Sequence, residues 1–156
     1  MWKIEIPGFR KLEINYLVFD FNGTLAVDGI LFPGLKEQII ALSHQFKIHV
    51  VTADTFGKAA QQLQEIPCYL KILPDENQAE AKRRYIQKLG SEQTIAIGNG
   101  RNDRLMLVEA VVGIAVLQEE GASSETLLAS DVVCKNIFDA LNLFSHPKRL
   151  VATLRG

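Results

Sequence analysis

Residues 17–25 read Leu-Val-Phe-Asp-Phe-Asn-Gly-Thr-Leu, and this short stretch decides the fold. An apolar run typical of a buried strand ends at Asp20, and a turn containing glycine follows directly. This arrangement places the Asp20 carboxylate at the carboxyl edge of the strand, where open α/β sheets bind their ligands. Asp20 is therefore the first candidate for a functional residue.

Segments typical of strands and helices alternate on both sides of this stretch. Residues 3–6 and 11–15 alternate apolar with polar side chains around Pro7-Gly8, which predicts an N-terminal β-hairpin. Downstream, short connections favour right-handed crossovers and a mainly parallel sheet with helices on both faces. The predicted strands span residues 16–20, 47–51, 69–73, 94–97, 113–116 and 131–134. The predicted helices span residues 33–46, 78–89, 105–111 and 123–129. A further helix, capped by Asp54 or Thr55, is predicted to end near residue 65, and two more flank Pro147.

Length and composition predict one domain. A chain of 156 residues buries roughly 70% of its unfolded surface, so we assign residues 1–15 to the hairpin, 16–134 to an α/β core and 135–156 to C-terminal helices. A net charge of −1 gives no reason to expect nucleic acid or a membrane as a partner. No signal core or apolar run of ~20 residues is evident, so we expect a cytoplasmic protein with Cys68 and Cys134 reduced.

Two more positions bear side chains suited to binding a phosphate. Thr52 ends the apolar run at residues 48–51, and its hydroxyl can donate a hydrogen bond to a phosphate oxygen. Lys82 lies on a predicted helix whose Ile86 and Leu89 form an inward stripe, so its ammonium can offset the charge of a carboxylate and a phosphate. Taken singly, each has an ordinary structural explanation, as a strand end or a solvated charge.

A polar turn follows the fourth strand of the predicted core. Residues 98–103 read Gly-Asn-Gly-Arg-Asn-Asp and offer the side chains of Asn99 and Asp103. Their hard oxygen atoms suit Mg²⁺ rather than zinc. The turn is similar to the Gly-Asp-Gly-x-Asn-Asp motif of P-type ATPases.

The order Asp20, Thr52, Lys82, Asp103 resembles the motifs of the haloacid dehalogenase (HAD) superfamily, above all the phosphorylation core of P-type ATPases. The resemblance covers residues 16–134. It implies a Rossmann-like three-layer sandwich, and a Mg²⁺-dependent phosphatase or phosphotransferase that acts on phosphoric monoesters through an aspartyl phosphate.

The resemblance also implies a role for each matching residue. Asp20 is the expected nucleophile, and Thr24 is expected to fix the geometry of its turn. Catalysis is assigned to Asp20, Asn22 and Lys82, and phosphate binding to Thr52, Lys82, Gly23 and Ala53. The Mg²⁺ ligands are expected to be Asp20, the backbone carbonyl of Asn22, Asn99 and Asp103.

Two asparagines depart from the superfamily pattern. Asn22 replaces the aspartate that protonates the leaving group and activates water, and an amide cannot exchange a proton in this way. Since general acid–base catalysis contributes typically 10²–10⁴-fold, we expect slow turnover. Asn99 replaces a metal-binding aspartate, so we expect weaker Mg²⁺ binding. Asp54 either compensates for part of this charge or caps a helix.

The spacing of the motifs leaves no room for a cap domain. Only 31 residues separate Asp20 from Thr52, and 29 separate Thr52 from Lys82. Residues 26–32 can form a short flap, whose Ile30, Leu31 and Phe32 pack on the core or on a second copy. Capless relatives accept large phosphorylated substrates or close their sites with a neighbouring subunit. We therefore expect a phosphorylated small molecule or macromolecule as substrate and leave a homo-oligomer open.

Two rival hypotheses remain open. The asparagines at 22 and 99 are compatible with a module that binds a phosphate ligand with little or no turnover. A hydrolase that does not act on phosphate, such as a dehalogenase, would also use Asp20. Arg101 and Arg104 either attract an anionic substrate or form a solvated pair, and the residues themselves do not identify the substrate or decide whether ATP is used.

Overall fold

A six-stranded parallel sheet forms the centre of the molecule, in a computed structural model that describes residues 1–54 and 57–156. The strands are β1 (Trp2–Ile6), β2 (Arg10–Ile14), β3 (Tyr16–Phe19), β4 (Ala26–Val27), β5 (Ile30–Leu31), β6 (Lys47–Thr52), β7 (Tyr69–Ile72), β8 (Thr94–Gly98), β9 (Val112–Val116) and β10 (Val132–Cys134). The helices are α1 (Leu35–Leu42), α2 (Ala59–Gln62), α3 (Gln78–Leu89), α4 (Arg104–Glu109), α5 (Ser124–Ala129), α6 (Ile137–Ser145) and α7 (Pro147–Leu154).

The order of the central sheet is β10-β9-β8-β3-β6-β7, so β3 lies between β8 and β6. Its side chains alternate between two apolar layers, because successive residues of a strand point to opposite faces. Leu17 and Phe19 pack with helices α1 and α6, whereas Val18 packs with α3 and α4. The predicted three-layer sandwich is confirmed, and it brings the ends of β3, β6 and β8 to one edge.

The predicted N-terminal hairpin is also confirmed. Strands β1 and β2 pair antiparallel around Pro7-Gly8, with Ile4 opposite Leu12. Trp2 packs against Phe46, with ring centroids 5.8 Å apart. The hairpin therefore covers the side of the core that contains α1 and α6.

Two helices are shorter than the sequence predicts. Helix α1 begins after Gly34, whose φ of 82° is left-handed, and ends at Leu42, where the Ser43 hydroxyl donates to the Ile40 carbonyl. Helix α2 ends at Gln62 instead of near residue 65. The Asp54 carboxylate accepts a hydrogen bond from the backbone N–H of Ala59 at 3.0 Å. Of the two predicted caps, Asp54 thus contacts α2, and Thr55 lies outside the described residues.

The connections around the site are short, as predicted. Strands β4 and β5 form a two-stranded flap, and no further domain interrupts the described parts of residues 21–81. Leu31 and Phe32 pack against the core, while Ile30 is 48% exposed, so an intersubunit contact of this flap stays a prediction.

Two further features of the described residues concern membranes and cysteine thiols. None of their helices combines the length and the apolar character needed to cross a bilayer. Cys68 and Cys134 are both free thiols, and burial raises the pKa of the Cys134 thiol to about 11. Neither cysteine is therefore a reactive thiolate near neutral pH.

Candidate active site

The turn after β3 holds the predicted nucleophile. Asp20 is 6% exposed, and its backbone N–H donates to the carbonyl of Ile97 at 3.1 Å. The Phe21 carbonyl accepts from three successive N–H groups at the end of the turn, residues 24–26. Gly23 has a φ of 81°, and a Cβ there would lie 2.4 Å from Asn99 Nδ2. Glycine is thus required at this position by both the backbone and the close neighbour.

Lys82 connects Asp20 to the polar turn after β8. Its Nζ lies 2.8 Å from Asp20 Oδ1 and 2.7 Å from Asp103 Oδ1, and its side chain is fully buried. Lys82 enters from α3, where Ile86 packs one turn further along, as the sequence predicts. Three of the four predicted motif residues therefore form one continuous ionic bridge.

Asp103 holds that turn in place. Its Oδ2 accepts hydrogen bonds from the backbone N–H groups of Asn99 and Gly100, at 3.0 and 2.9 Å. Gly98 allows this close approach, because a Cβ there would lie 2.6 Å from Asp103 Cγ. A direct contact of Asp103 with a metal ion stays a prediction, since such a contact would share an oxygen with these donors.

The buried charges of this bridge influence each other. Burial, and then the charge of the Asp103 carboxylate, raise the pKa of Asp20 to about 7, against the lowering effect of Lys82. Burial alone would lower the pKa of Lys82, but Asp103 and Asp20 together raise it above its usual value. Lys82 is therefore an ammonium at any pH near neutrality.

Thr52 ends β6, and its hydroxyl oxygen already accepts one hydrogen bond. It accepts a hydrogen bond from the backbone N–H of Asp54 at 3.0 Å. A hydroxyl that accepts one bond keeps its own hydrogen for donation. Thr52 can therefore donate to a phosphate oxygen, as predicted, whereas the Asp54 carboxylate is engaged by α2.

The two asparagines have different surroundings. Asn99 donates from Nδ2 to the carbonyl of Gly121 at 2.9 Å, and its Oδ1 faces the Thr24 hydroxyl at 3.5 Å. Asn22 Oδ1 is buried without a hydrogen-bond partner among the described residues. Both amides thus present oxygen atoms that are weakly bound or unbound within the protein.

A cavity of about 370 Å³ opens above Asp20. Five of the predicted site residues line it: Asp20, Asn22, Thr52, Ala53 and Asn99. Lys82 and Asp103 lie buried behind Asp20, and Gly23 lies against Asn99. The sheet therefore brings the predicted residues together at the carboxyl edge, as four separate motifs would require.

Sequence reasoning missed several residues of the same cavity. Gln78, Asn102 and Glu120 also line it, and Gln78 Oε1 accepts from Asn102 Nδ2 at 2.7 Å. Gln78 begins the helix of Lys82, a signal that could have identified it. Glu120 belongs to no motif, and only the folded chain places it here.

The oxygen atoms of this site suit a hard cation, which they would bind weakly. Among the described residues no group of three His, Cys, Asp or Glu side chains is arranged to hold a metal. Carboxylate and amide oxygens of Asp20 and Asn99, with the unpartnered Asn22 Oδ1 nearby, are nevertheless the ligands that Mg²⁺ accepts. The residues present therefore fit Mg²⁺, with few formal charges.

The basic residues beside the site are largely paired. Arg101 and Arg104 both contact the Glu125 carboxylate, at 3.2 and 3.4 Å, so their side chains form an ion-paired group rather than two free cations. Arg83 and Arg84 contact Glu80 on the surface of α3. Of the basic run at 82–84, only Lys82 reaches the site.

Similar sequences occur in known proteins, although no protein-family model matches the chain. An uncharacterised protein of Methanocaldococcus jannaschii is 48% identical over 79 residues, which are 48% of this chain and 85% of that protein. A soluble P-type ATPase-like phosphatase of the same organism is 27% identical over 145 residues, covering 91% of this chain. The chain spans 53% of the length of that phosphatase.

Solved structures share the fold. The cobalt-bound deoxy-D-mannose-octulosonate 8-phosphate phosphatase of Haemophilus influenzae has a TM-score of 0.71 at 15% identity, over 92% of this chain and 94% of that one. The corresponding phosphatase of Moraxella catarrhalis, in complex with magnesium ion, phosphate ion and KDO, has a TM-score of 0.67 at 18% identity, over 91% and 94%.

The chain has the capless α/β fold of HAD-type proteins, with the four motif residues Asp20, Thr52, Lys82 and Asp103 at one edge of the sheet. The chain belongs to one family with the Methanocaldococcus jannaschii protein that is 48% identical to it over 79 residues. Over 91% of this chain, its sequence is similar to that of the soluble P-type ATPase-like phosphatase.

Proposed function

We propose that this protein is a slow, Mg²⁺-dependent hydrolase of phosphoric monoesters that acts through an aspartyl phosphate on Asp20. The bridge Asp20–Lys82–Asp103 carries the proposal. A fully buried lysine between two carboxylates at the base of a polar cavity is expensive to form unless the charges are paired. Such a bridge provides a nucleophile and a fixed positive charge at the same point.

In the proposed reaction an oxygen of Asp20 attacks the phosphorus and the ester oxygen leaves on the opposite side. The Lys82 ammonium, 2.8 Å from Asp20 Oδ1, offsets the charge that accumulates on the phosphoryl oxygens. Thr52 donates its hydroxyl hydrogen to one of those oxygens, and the backbone around Gly23 and Ala53 surrounds the phosphate.

The residues proposed to hold Mg²⁺ are Asp20, the Asn22 carbonyl and Asn99, with Asp103 as the fourth predicted ligand. A bound Mg²⁺ would neutralise phosphate charge and orient the ester. Because Asn99 contributes no charge, we expect a dissociation constant higher than that of a variant with aspartate at this position. The magnesium and phosphate ions of the Moraxella catarrhalis phosphatase are in keeping with this proposal.

The direct test is trapping of the nucleophile. Beryllium fluoride with Mg²⁺ should bind the wild-type protein and should not bind an Asp20→Ala variant, as followed by fluorine NMR or protection from proteolysis. A panel of phosphorylated metabolites with Mg²⁺ would then identify substrates. Absence of any Asp20-dependent adduct would contradict the proposal.

Asn22→Asp is the sharper variant, because it restores a proton donor and acceptor. If Asn22 limits hydrolysis, this variant should break down the aspartyl phosphate about 10²-fold faster. The measurement is the decay of the phosphorylated protein in a chase experiment, with Asn102→Asp as a control at another amide of the cavity. An unchanged decay rate in a protein that turns over would refute the role assigned to Asn22.

A second candidate function follows from the same two asparagines. A protein that binds a phosphorylated ligand without turning it over needs Lys82 and Thr52 but no acid–base residue. It would bind phosphate analogues in an Asp20→Asn variant as well as in the wild type, and no phosphorylated protein would accumulate with any substrate. The trapping experiment therefore separates the two functions.

A further inference from the structure

We infer that Glu120 is a catalytic acid–base residue of the proposed phosphatase, in place of the aspartate that Asn22 replaces. The inference rests on the proposed function and names a residue that no motif contains. Glu120 lines the cavity above Asp20 together with Asn22 and Asn99. Apart from Asp20, Glu120 is the only carboxylate among the described residues that line this cavity.

The other lining residues cannot exchange a proton near neutral pH. They are amides, hydroxyls and small residues, apart from Asp20 and the Arg101 guanidinium. Arg101 is bonded to Glu125 and remains charged. Glu120 takes part in none of the ion pairs that the described residues form, so its carboxylate is available.

The loop that carries Glu120 is tied to both sides of the site. Two residues before it, Gln118 donates from Nε2 to the carbonyls of Gly23 and Thr24, at 2.7 and 2.9 Å. One residue after it, the Gly121 carbonyl accepts from Asn99 Nδ2 at 2.9 Å. Glu120 therefore stands between an anchor to the nucleophile turn and an anchor to the turn after β8.

The backbone of this loop shows that its path is specific. Gln118 adopts a φ of 52°, a left-handed conformation that is uncommon for a residue with a side chain. Its Oε1 also accepts from the N–H of Ile137 at 3.2 Å, at the start of α6. One glutamine side chain thus holds the loop to two other segments, which offsets the cost of the strained backbone.

The chemistry needs one carboxyl group at the mouth of the cavity. In the first step Asp20 forms a bond to phosphorus, the bond to the ester oxygen breaks, and Glu120 in its acid form gives that oxygen a proton. In the second step water attacks phosphorus, the bond to Asp20 breaks, and the Glu120 carboxylate takes the proton from water. The ester oxygen and the water occupy the same position opposite Asp20, so one residue serves both steps and ends as it began.

The test compares Glu120→Gln with Glu119→Gln, a change at the neighbouring glutamate, which is exposed like Glu120 but does not line the cavity. In the Glu120 variant we expect the aspartyl phosphate to decay on the order of 10²-fold more slowly, so that phosphorylated protein accumulates, while the Glu119 variant decays like the wild type. Adding Asn22→Asp to Glu120→Gln should restore the decay.

Two measurements that do not depend on turnover accompany these rates. Mg²⁺ binding by calorimetry and trapping by beryllium fluoride should be unchanged in Glu120→Gln, because neither involves proton transfer. A Mg²⁺ affinity reduced tenfold or more would make Glu120 a metal ligand and overturn the acid–base role. Wild-type turnover with an unchanged Glu120→Gln rate would overturn this inference alone, whereas a wild type without any adduct would overturn the proposed function as well.

Discussion

Helix α3 contains one buried basic group and packs against another, and the two differ in charge: Lys82 is protonated and His49 is neutral. Lys82 lies at the carboxyl edge of the sheet between the carboxylates of Asp20 and Asp103. Tyr85, three residues later, covers His49 of β6, whose Nδ1 lies 2.8 Å from the tyrosine hydroxyl. Both groups are nearly inaccessible to solvent, since His49 is 6% exposed and Lys82 is not exposed.

The difference lies in the partners. Two carboxylates outweigh the cost of burying the Lys82 ammonium, and the pKa of Lys82 rises. None of the ion pairs that the described residues form includes His49, its Nε2 has no partner there, and Tyr69 stacks on its ring with centroids 4.8 Å apart. Burial, and then the charge of Lys47, lowers the pKa of His49 to about 4. Burial disfavours the charged form of both bases, and contacts with carboxylates decide which of them stays charged.

Removing the lysine should have the largest effect on this contrast. In Lys82→Met the carboxylates of Asp20 and Asp103 face each other without a cation, and breaking a buried pair in this way costs about 3–5 kcal/mol. We expect the free energy of unfolding in urea to fall by that amount, and kcat/KM to fall at least 10²-fold. Arg84→Met, on the exposed side of the same helix, is the control and should change neither quantity appreciably.

A variant of Asp20, the proposed nucleophile, tests the same ion pairs from the carboxylate side. The pKa of Asp20 is raised to about 7, so the folded protein holds a proton there that the unfolded chain releases near pH 4. The stability that this proton contributes is present at low pH and is lost as pH rises through about 7.

Asp20→Asn removes this loss, so relative to the wild type the metal-free variant should gain about 2–3 kcal/mol of stability between pH 5 and pH 8. Urea unfolding at the two pH values, in the presence of a chelator, measures this gain. A gain that is absent or of opposite sign would show that Lys82 outweighs burial at Asp20.

The smallest expected effect concerns His49 and has the opposite sign with pH. Its pKa is about 4 in the folded protein against about 6.5 unfolded, so its contribution to stability is complete above pH 6.5 and declines as pH falls toward 4. Relative to the wild type, His49→Phe should gain about 2 kcal/mol between pH 7.5 and pH 4.5. Unfolding in urea at both pH values measures this gain. Parallel pH curves for the two proteins would contradict a neutral, buried His49.

Much of the fold follows from local patterns. The run at 17–19 predicts a buried strand, since apolar residues in short runs bounded by turn residues form such strands. The helix at 78–89 and its closing Gly90 agree with the structure to the residue. Helix α1 was predicted too long because the side chain of Ser43, by bonding the Ile40 carbonyl, ends it earlier than the apolar pattern does.

The site divides in the same way. Asp20, Thr52 and Lys82 could be identified from the sequence, because each stands at a position that the strand and helix pattern defines. Asp103 contacts both Lys82 and the backbone of the turn at Asn99, and this double role is apparent only in the tertiary structure. So is the pairing of the arginines at 101 and 104 with Glu125, because contacts between distant side chains leave no local pattern.

By itself the sequence determined the alternation of strands and helices, the glycine at 23 and the absence of an acid at 22, since these depend on residue type and spacing along the chain. Only the tertiary structure decided that Gln118 donates a hydrogen bond to the turn after β3 and that Glu120 lines the cavity. The physical reason is that packing brings together residues about 95 positions apart. A hydrogen bond or a charge acts over ångströms of space, whatever the distance along the chain.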